Sequence, residues 1–226
     1  TRFGMAFVDV SDLGAESEFG VFREGVGAGG VVKGINASGQ AGFSRRQIDD
    51  LTAFAARSGA RGLAWMKVTE KGLESSIVKF FPPDLRARLA ERMEARPGDL
   101  LLFVADRPGA AAAALCDLRL ELGRQLGLRR DDLWSFLWVV RFPLVEYDAT
   151  EKRYAAVHHP FTSPVEEDLE KMETAPASVR ARAYDLVLNG NEIAGGSIRI
   201  SRRDVQNRMF RLLGISAEEA ERKFGF

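Results

Sequence analysis

The 226 residues suffice for one large domain or two small ones, and 46% hydrophobic with 28% charged residues is the ordinary balance of a globular chain. Lys+Arg and Asp+Glu both number 32, so no global field draws the chain onto nucleic acid or membrane, and any such contact needs a local patch. One cysteine, Cys116, excludes an intrachain disulfide and points to a reducing cytoplasm; with only His158 and His159 beside it, a zinc site of His and Cys is nearly excluded, and no run of about 18 apolar residues offers a membrane span.

The first residues show neither a signal-peptide pattern nor an initiator Met, as expected of an internal piece of a longer chain. Gly4 to Val10 reads as a short strand, Ser11-Asp12 as a helix N-cap, and Glu18 to Phe22 as a second apolar segment. Gly25-x-Gly27-x-Gly29-Gly30 mimics a phosphate-cradling loop. The residues after it, Val31 to Ile35, read as a strand rather than a helix with an anion-facing N-terminus, so a flexible turn is expected.

From Phe43 a β/α rhythm begins. Ser44-Arg-Arg-Gln47 is a capping-box pattern, and Ile48, Leu51, Phe54 and Ala55 follow at helical spacing up to Gly59. Leu63 to Val68 is a strand, Glu70 to Ser75 a loop, and Ile77 to Phe81 short and extended. Pro82-Pro83-Asp84 opens a helix carrying Leu85, Leu89 and Met93. Asp99 to Ala105 is a continuous apolar strand, expected at the centre of a sheet. Pro108-Gly109 starts a long helix closed by Gly127, in which Cys116 reads as a buried structural thiol. Residues 20–128 thus form an α+β unit without a histidine, a carboxylate cluster or an activated nucleophile.

After Asp131 the character changes. Trp134 to Val145 is densely aromatic and apolar, as in a buried strand ending at Pro143. Glu146-Tyr147-Asp148, a polar turn and Arg153 to His158 follow, then the proline-stiffened His158-His-Pro-Phe-Thr-Ser-Pro164. Glu166 to Met172 is a short acidic helix or turn. Ser201-Arg202-Arg203-Asp204 begins an amphipathic helix with Val205, Met209, Leu212 and Leu213 apolar, and 217–223 form a charged helix.

Between them lies Ala183 to Ile200, two apolar arms around Asn189-Gly190, the strongest short hairpin signal. A two-residue turn pairs Leu188 with Asn191 and Val187 with Glu192, and sets Asp185 diagonally from Glu192 on one face. Two carboxylates there repel unless solvated or bridged by a cation, for which Mg²⁺ carried by a nucleotide polyphosphate is the usual candidate. Arg199 has the opposite parity, and a bulge at Gly195-Gly196 returns it to the same face. On spacing alone, a solvated acidic face with a surface arginine is the commoner meaning of this pattern.

Several segments carry a family likeness. Phe142-Pro-Leu-Val-Glu-Tyr-Asp148, His158 to Pro164, Ala181 to Gly190, Glu192 to Arg199, Leu213-Gly-Ile and Lys223-Phe-Gly-Phe226 resemble, in order, later catalytic-domain segments of bacterial-type aspartyl-tRNA synthetase. The preceding α+β unit resembles that family's GAD insertion domain. The resemblance implies an α+β chain: a catalytic-domain segment at 1–19, a GAD-like domain at 20–130, and at 131–226 part of a class II antiparallel-sheet catalytic domain. It further implies a cytoplasmic, homodimeric ligase that activates L-aspartate with ATP and Mg²⁺ to aspartyl-adenylate and transfers aspartate to tRNA(Asp). His158 and its companion His159 then belong to a loop that closes over aspartate. Asp185 and Glu192 hold Mg²⁺ and ATP, and Arg199 binds the aspartate side-chain carboxylate.

Asn191 and Ala194 depart from the family, which more often has an aromatic or aliphatic residue and a glycine there. The family's anticodon-binding barrel, dimer motif and the two arginine motifs over the α-phosphate and the adenine are not in this sequence, so a partial active site, inactive alone, is expected. The alternative is a non-catalytic tRNA- or partner-binding module built on the GAD-like domain, with Arg45, Arg46, Arg86 and Arg88 as phosphate contacts.

Overall fold

An unbroken apolar strand needs cover on both faces, and Leu100 to Val104 has it, with all five side chains fully buried. In the computed structural model, residues 3–130 and 132–225 are described; Thr1, Arg2, Asp131 and Phe226, the last closing the Lys223-Phe-Gly-Phe226 segment, lie outside the described residues. The chain divides into two compact units, Phe3–Arg130 and the residues after it.

The first unit runs β1 (Val8–Asp9), α1 (Ser11–Glu16), α2 (Gly20–Gly27), β2 (Val31–Ala37), α3 (Arg45–Arg57), β3 (Ala64–Thr69), β4 (Gly72–Glu74), α4 (Pro83–Arg92), β5 (Leu100–Asp106) and α5 (Pro108–Gln125). Its strands form one sheet in the order β1-β2-β5-β3-β4, antiparallel at every pair. The central place expected for β5 is therefore found. Its side chains alternate between two cores. Leu100, Leu102 and Val104 meet Ile48 and Leu51 of α3 and Leu115 and Leu118 of α5, whereas Leu101 and Phe103 meet Leu13, Phe22, Leu85 and Leu89 on the other face. Helices on both faces, rather than parallel pairing, explain the continuous run.

Local corrections have local causes. The strand expected from Gly4 shortens to β1, and its described residues join this unit because β1 pairs with β2. Ser11 is the first residue of α1 rather than its cap, and its Oγ accepts the Val32 N–H at 2.9 Å. Gly25 and Gly27 lie inside α2 rather than in a turn, which follows at Gly29 with φ 81°. The expected loop at 70–75 contains β4, and Ile77 to Phe81 coils into a 3-10 helix at Val78–Phe80. Ser44 does close its capping box with Gln47. Cys116 is exposed, not buried; the sheet claims the stripe Ala111, Ala114, Leu115, Leu118 and Leu122 of α5 and leaves the thiol on the solvent side.

The second unit runs β6 (Phe136–Val140), β7 (Val145–Asp148), β8 (Arg153–Ala156), β9 (Ala183–Leu188), β10 (Asn191–Ser197), α6 (Arg203–Leu212) and α7 (Ala217–Phe224). Two short 3-10 helices, Glu166–Lys171 and Pro176–Ser178, precede β9. One antiparallel sheet has the order β10-β9-β6, and β7 and β8 form a separate hairpin. A core of Leu144, Val145, Met172, Val179, Ala181, Met209 and Leu213 binds the 3-10 segments and α6 together. The buried strand expected to run from Trp134 to Pro143 is an exposed edge instead, β6: Trp138 is 61% exposed, and Arg141 with φ 62° follows its end, while Leu144 and Val145 beyond it are buried. Aromatic density recorded its apolarity, but no described element of this unit covers that side.

Candidate functional site

The hairpin forms as its residues require. Asn189 (φ 52°) and Gly190 (φ 91°) both take positive φ, and the register pairs Leu188 with Asn191 and Val187 with Glu192. Asn189 is also tied sideways: its Nδ2 donates to Leu133 O at 2.8 Å, and its Oδ1 accepts the Ser135 N–H at 3.0 Å.

A bulge is present, but at Ile193, where the register jumps from Glu192–Val187 to Ala194–Leu186. Beyond it Gly195 faces Asp185 and Gly196 faces Tyr184. The two glycines therefore serve as floors for facing side chains and not as the bulge itself. A Cβ on Gly196 would lie 2.9 Å from the Tyr184 hydroxyl. One on Gly195 would lie 2.6 Å from Asp185 Oδ1 and 3.0 Å from Glu192 Oε1. Both carboxylates thus converge over Gly195, in the space that a side chain would fill.

The extra residue also restores parity for Arg199. Thr162 and Arg199 form a bridge, flanked by Ser163 N–H to Ile198 O (2.8 Å) and Ile200 N–H to Phe161 O (2.8 Å). Thr162 Oγ1 donates to Ser197 Oγ at 3.2 Å. Bridge partners share a face, so Arg199 lies on the face of Thr162, Ser197 and Gly195, about 13 Å along the strand from the acids.

The His-His-Pro segment is anchored on one side of this strand. Arg182 N–H donates to Ser163 O at 2.8 Å, Val165 N–H to Arg180 O at 2.9 Å, and the buried Gln206 Nε2 to Pro160 O at 3.0 Å. His159 Nδ1 accepts the Phe161 N–H at 3.1 Å. Desolvation first, then the Arg199 charge, lowers the pKa of His159 below its ordinary value, so the imidazole is neutral at pH 7. His158 is exposed, with its ring edge-on to Phe142 at 4.6 Å.

The structure brings Asp185 to Glu192, and His159 to Arg199. Among the described residues no three His, Cys, Asp or Glu side chains gather as a metal cage. Two acids alone, over a glycine floor, suit Mg²⁺, which keeps several waters and needs one or two carboxylates. Sequence reasoning missed the floor role of Gly195, the Thr162–Ser197 hydroxyl pair and the Gln206 anchor. It also missed the buried Asp168, which accepts Arg180 Nε at 2.6 Å and Lys171 Nζ at 2.7 Å. Their hydrogen bonds hold its carboxyl well below the usual range.

The four arginines proposed for phosphate do not form one patch. Arg45 pairs with Asp49 at 3.0 Å, Arg86 Nε donates to Phe81 O at 2.6 Å, and Arg88 pairs with Glu16. Arg45 and Arg46 ride on α3 and the other two on α4, across the sheet from each other.

Residues 22–115, within the first unit, match the GAD domain family. The whole chain is similar to longer proteins. It is 58% identical over 225 residues to the aspartate–tRNA(Asp/Asn) ligase of Moorella thermoacetica, and 54% over 227 residues to that of Bacillus subtilis. It is also 54% identical over 227 residues to the aspartate–tRNA ligase of Bacillus licheniformis. Each match takes in 100% of this chain and 38% of the relative, so the chain spans well under half the length of the curated relatives it matches. The resemblance to bacterial-type aspartyl-tRNA synthetase therefore extends over the whole chain. No described helix is long and apolar enough to cross a membrane.

Proposed function

We propose that the chain is the GAD-bearing portion of a cytoplasmic, homodimeric aspartate–tRNA ligase and holds part of its active site. In this reading residues 1–19 and 131–226 belong to a class II catalytic domain and 20–130 to the insertion. The observation that carries it is the convergence of Asp185 and Glu192 over Gly195, with Arg199 returned to the same face by the bulge.

Arg199 offers a bidentate fork to the side-chain carboxylate of L-aspartate. His159, neutral beside Arg199 and with Nδ1 accepting the Phe161 N–H, offers its Nε2–H to the same carboxylate, and His158 closes from the exposed end of the loop. Asp185 and Glu192 would hold Mg²⁺ together with the polyphosphate of ATP, and the ion would supply the positive charge that the departing pyrophosphate needs. The aspartate α-carboxylate displaces pyrophosphate from the α-phosphorus to give aspartyl-adenylate. The aspartyl group then passes to the 3′ end of tRNA(Asp), releasing AMP.

The test uses aspartate-dependent ATP–pyrophosphate exchange. This chain alone is expected to give none above a no-protein blank. In the full-length enzyme, Arg199→Gln is expected to raise KM for aspartate by on the order of 100-fold while leaving KM for ATP near its starting value. An unchanged aspartate KM would overturn the assignment of Arg199. Charging assays with tRNA(Asp) and tRNA(Asn) decide the tRNA range.

A further inference from the structure

A polar side chain inside an apolar stripe needs a reason, and α6 carries one. The buried residues of this helix are Val205, Gln206, Met209 and Phe210, and Gln206 is only 1% exposed. A buried amide without a partner is costly. Gln206 Nε2 finds its partner outside the helix, donating to Pro160 O at 3.0 Å.

Pro160 C=O and Phe161 N–H are the two ends of one peptide unit. The unit is planar and trans, so its C=O and N–H point to opposite sides. Gln206 grips the carbonyl end, and the N–H end points at His159 Nδ1, 3.1 Å away. The proline ring locks φ of Pro160, which leaves the unit to turn about Pro160 ψ and Phe161 φ. The far side of Phe161 is held as well. Ile200 N–H donates to Phe161 O at 2.8 Å, and the Phe161 ring packs edge-on against Phe210 at 5.9 Å and Phe224 at 5.1 Å. Turning the plane therefore breaks the Gln206 bond and withdraws the N–H from the imidazole.

A ring nitrogen that accepts a hydrogen bond carries no proton, so neutral His159 has its proton on Nε2. That tautomer presents a donor, as Arg199 does. The other tautomer presents a lone pair, which repels a carboxylate and draws the guanidinium to itself. We infer that Gln206 is a positioning residue for aspartate: by holding the Pro160–Phe161 peptide unit it keeps His159 in the Nε2–H form. His159 and Arg199 act on aspartate under the function proposed above, on which this role of Gln206 rests.

The first part of the test needs no substrate. The chain has only two histidines, so ¹⁵N-histidine labelling gives two imidazole spectra, told apart with His158→Gln. At about pH 8, where an ordinary imidazole is neutral, His159 of the parent chain is expected as one tautomer, protonated at Nε2. Gln206→Met keeps the length of the side chain without a donor and is expected to show a mixture of tautomers. Gln206→Asn, whose amide falls a methylene short of Pro160 O, is a second variant with the same expectation. A parent His159 protonated at Nδ1 overturns the inference, and so does a single Nε2–H tautomer in either folded variant.

The second part uses a full-length ligase carrying these residues. Gln206→Met is expected to raise KM for aspartate about tenfold, to leave KM for ATP near its starting value, and to add nothing further in a His159→Ala background. Equal rises in both KM values, or an effect that adds to that of His159→Ala, mark a merely structural role and overturn the inference. An aspartate KM raised by His159→Ala but not by Gln206→Met overturns the role of Gln206 alone. An aspartate KM unmoved by His159→Ala overturns the underlying reading of His159, and the role of Gln206 with it.

Discussion

Replacing Gly195 by alanine puts a methyl group where the two site carboxylates meet. Gly195 is outside the positive-φ region, so alanine fits the backbone, and the lost freedom of the unfolded chain favours the variant by about 0.4–1 kcal/mol. The new Cβ lies 2.6 Å from Asp185 Oδ1 and 3.0 Å from Glu192 Oε1, where ordinary contact starts near 3.4 Å. The Asp185 oxygen must therefore withdraw by about 0.8 Å and the Glu192 oxygen by about 0.4 Å. Both are tips of flexible side chains, so the net change in stability stays within about 1 kcal/mol of zero, or roughly 3 °C in Tm. Catalysis tolerates such shifts far less, since a misplacement of about 1 Å costs on the order of 100-fold. In a full-length ligase carrying these residues, Gly195→Ala is thus expected to lower ATP–pyrophosphate exchange by roughly 10- to 100-fold with an almost unchanged melting curve. Undiminished exchange would refute the idea that the acids act together over Gly195. A fall in Tm beyond about 8 °C would show that the glycine serves the fold instead.

Gly34→Ala tests the opposite case. Its Cβ would lie 2.6 Å from Phe103 Cδ1 and 3.0 Å from Leu102 O, a buried ring and a backbone atom that cannot swing aside, so urea denaturation should show a loss of about 1–3 kcal/mol or more. Asn189→Ala removes both sideways hydrogen bonds and forces a positive φ on alanine; a loss of about 1–3 kcal/mol is expected, and Asn189→Gly should recover only the backbone share. Asp168 has its pKa lowered from 3.8, chiefly by Arg180 and then Lys171, so its contribution is complete at neutral pH and fades as pH falls below about 4 toward the folded value. Unfolding followed by Trp134 and Trp138 fluorescence should show a steeper acid limb for the parent chain than for Asp168→Asn, and identical limbs would exclude that linkage.

The hairpin shows how far local chemistry reads. Asn189-Gly190 specifies its own turn because few residues accept positive φ in succession, and the turn sets the register that joins Val187 to Glu192. The position of the bulge was not readable in the same way. It sits at Ile193 because Gly195 and Gly196 are needed opposite Asp185 and Tyr184, a requirement that arises only when two strands meet. Arg199 depends on that placement, so its face followed from a bulge correctly expected but wrongly located.

Burial divides along the same line. The apolar run at β5 announced its centrality, because five successive buried side chains need cover on both faces. The equally apolar β6 carries Trp138 in the open, and Cys116 of α5 faces solvent. Capping at Ser44, the turn at Asn189 and the helical stripes were determined by the sequence itself, since each depends on residues within a few positions of one another. What covers a strand, which side of a helix meets a sheet, and the hold of Gln206 on the His-His-Pro segment were decided by tertiary structure alone. That hold joins residues 46 positions apart, and no local pattern contains the distance between them.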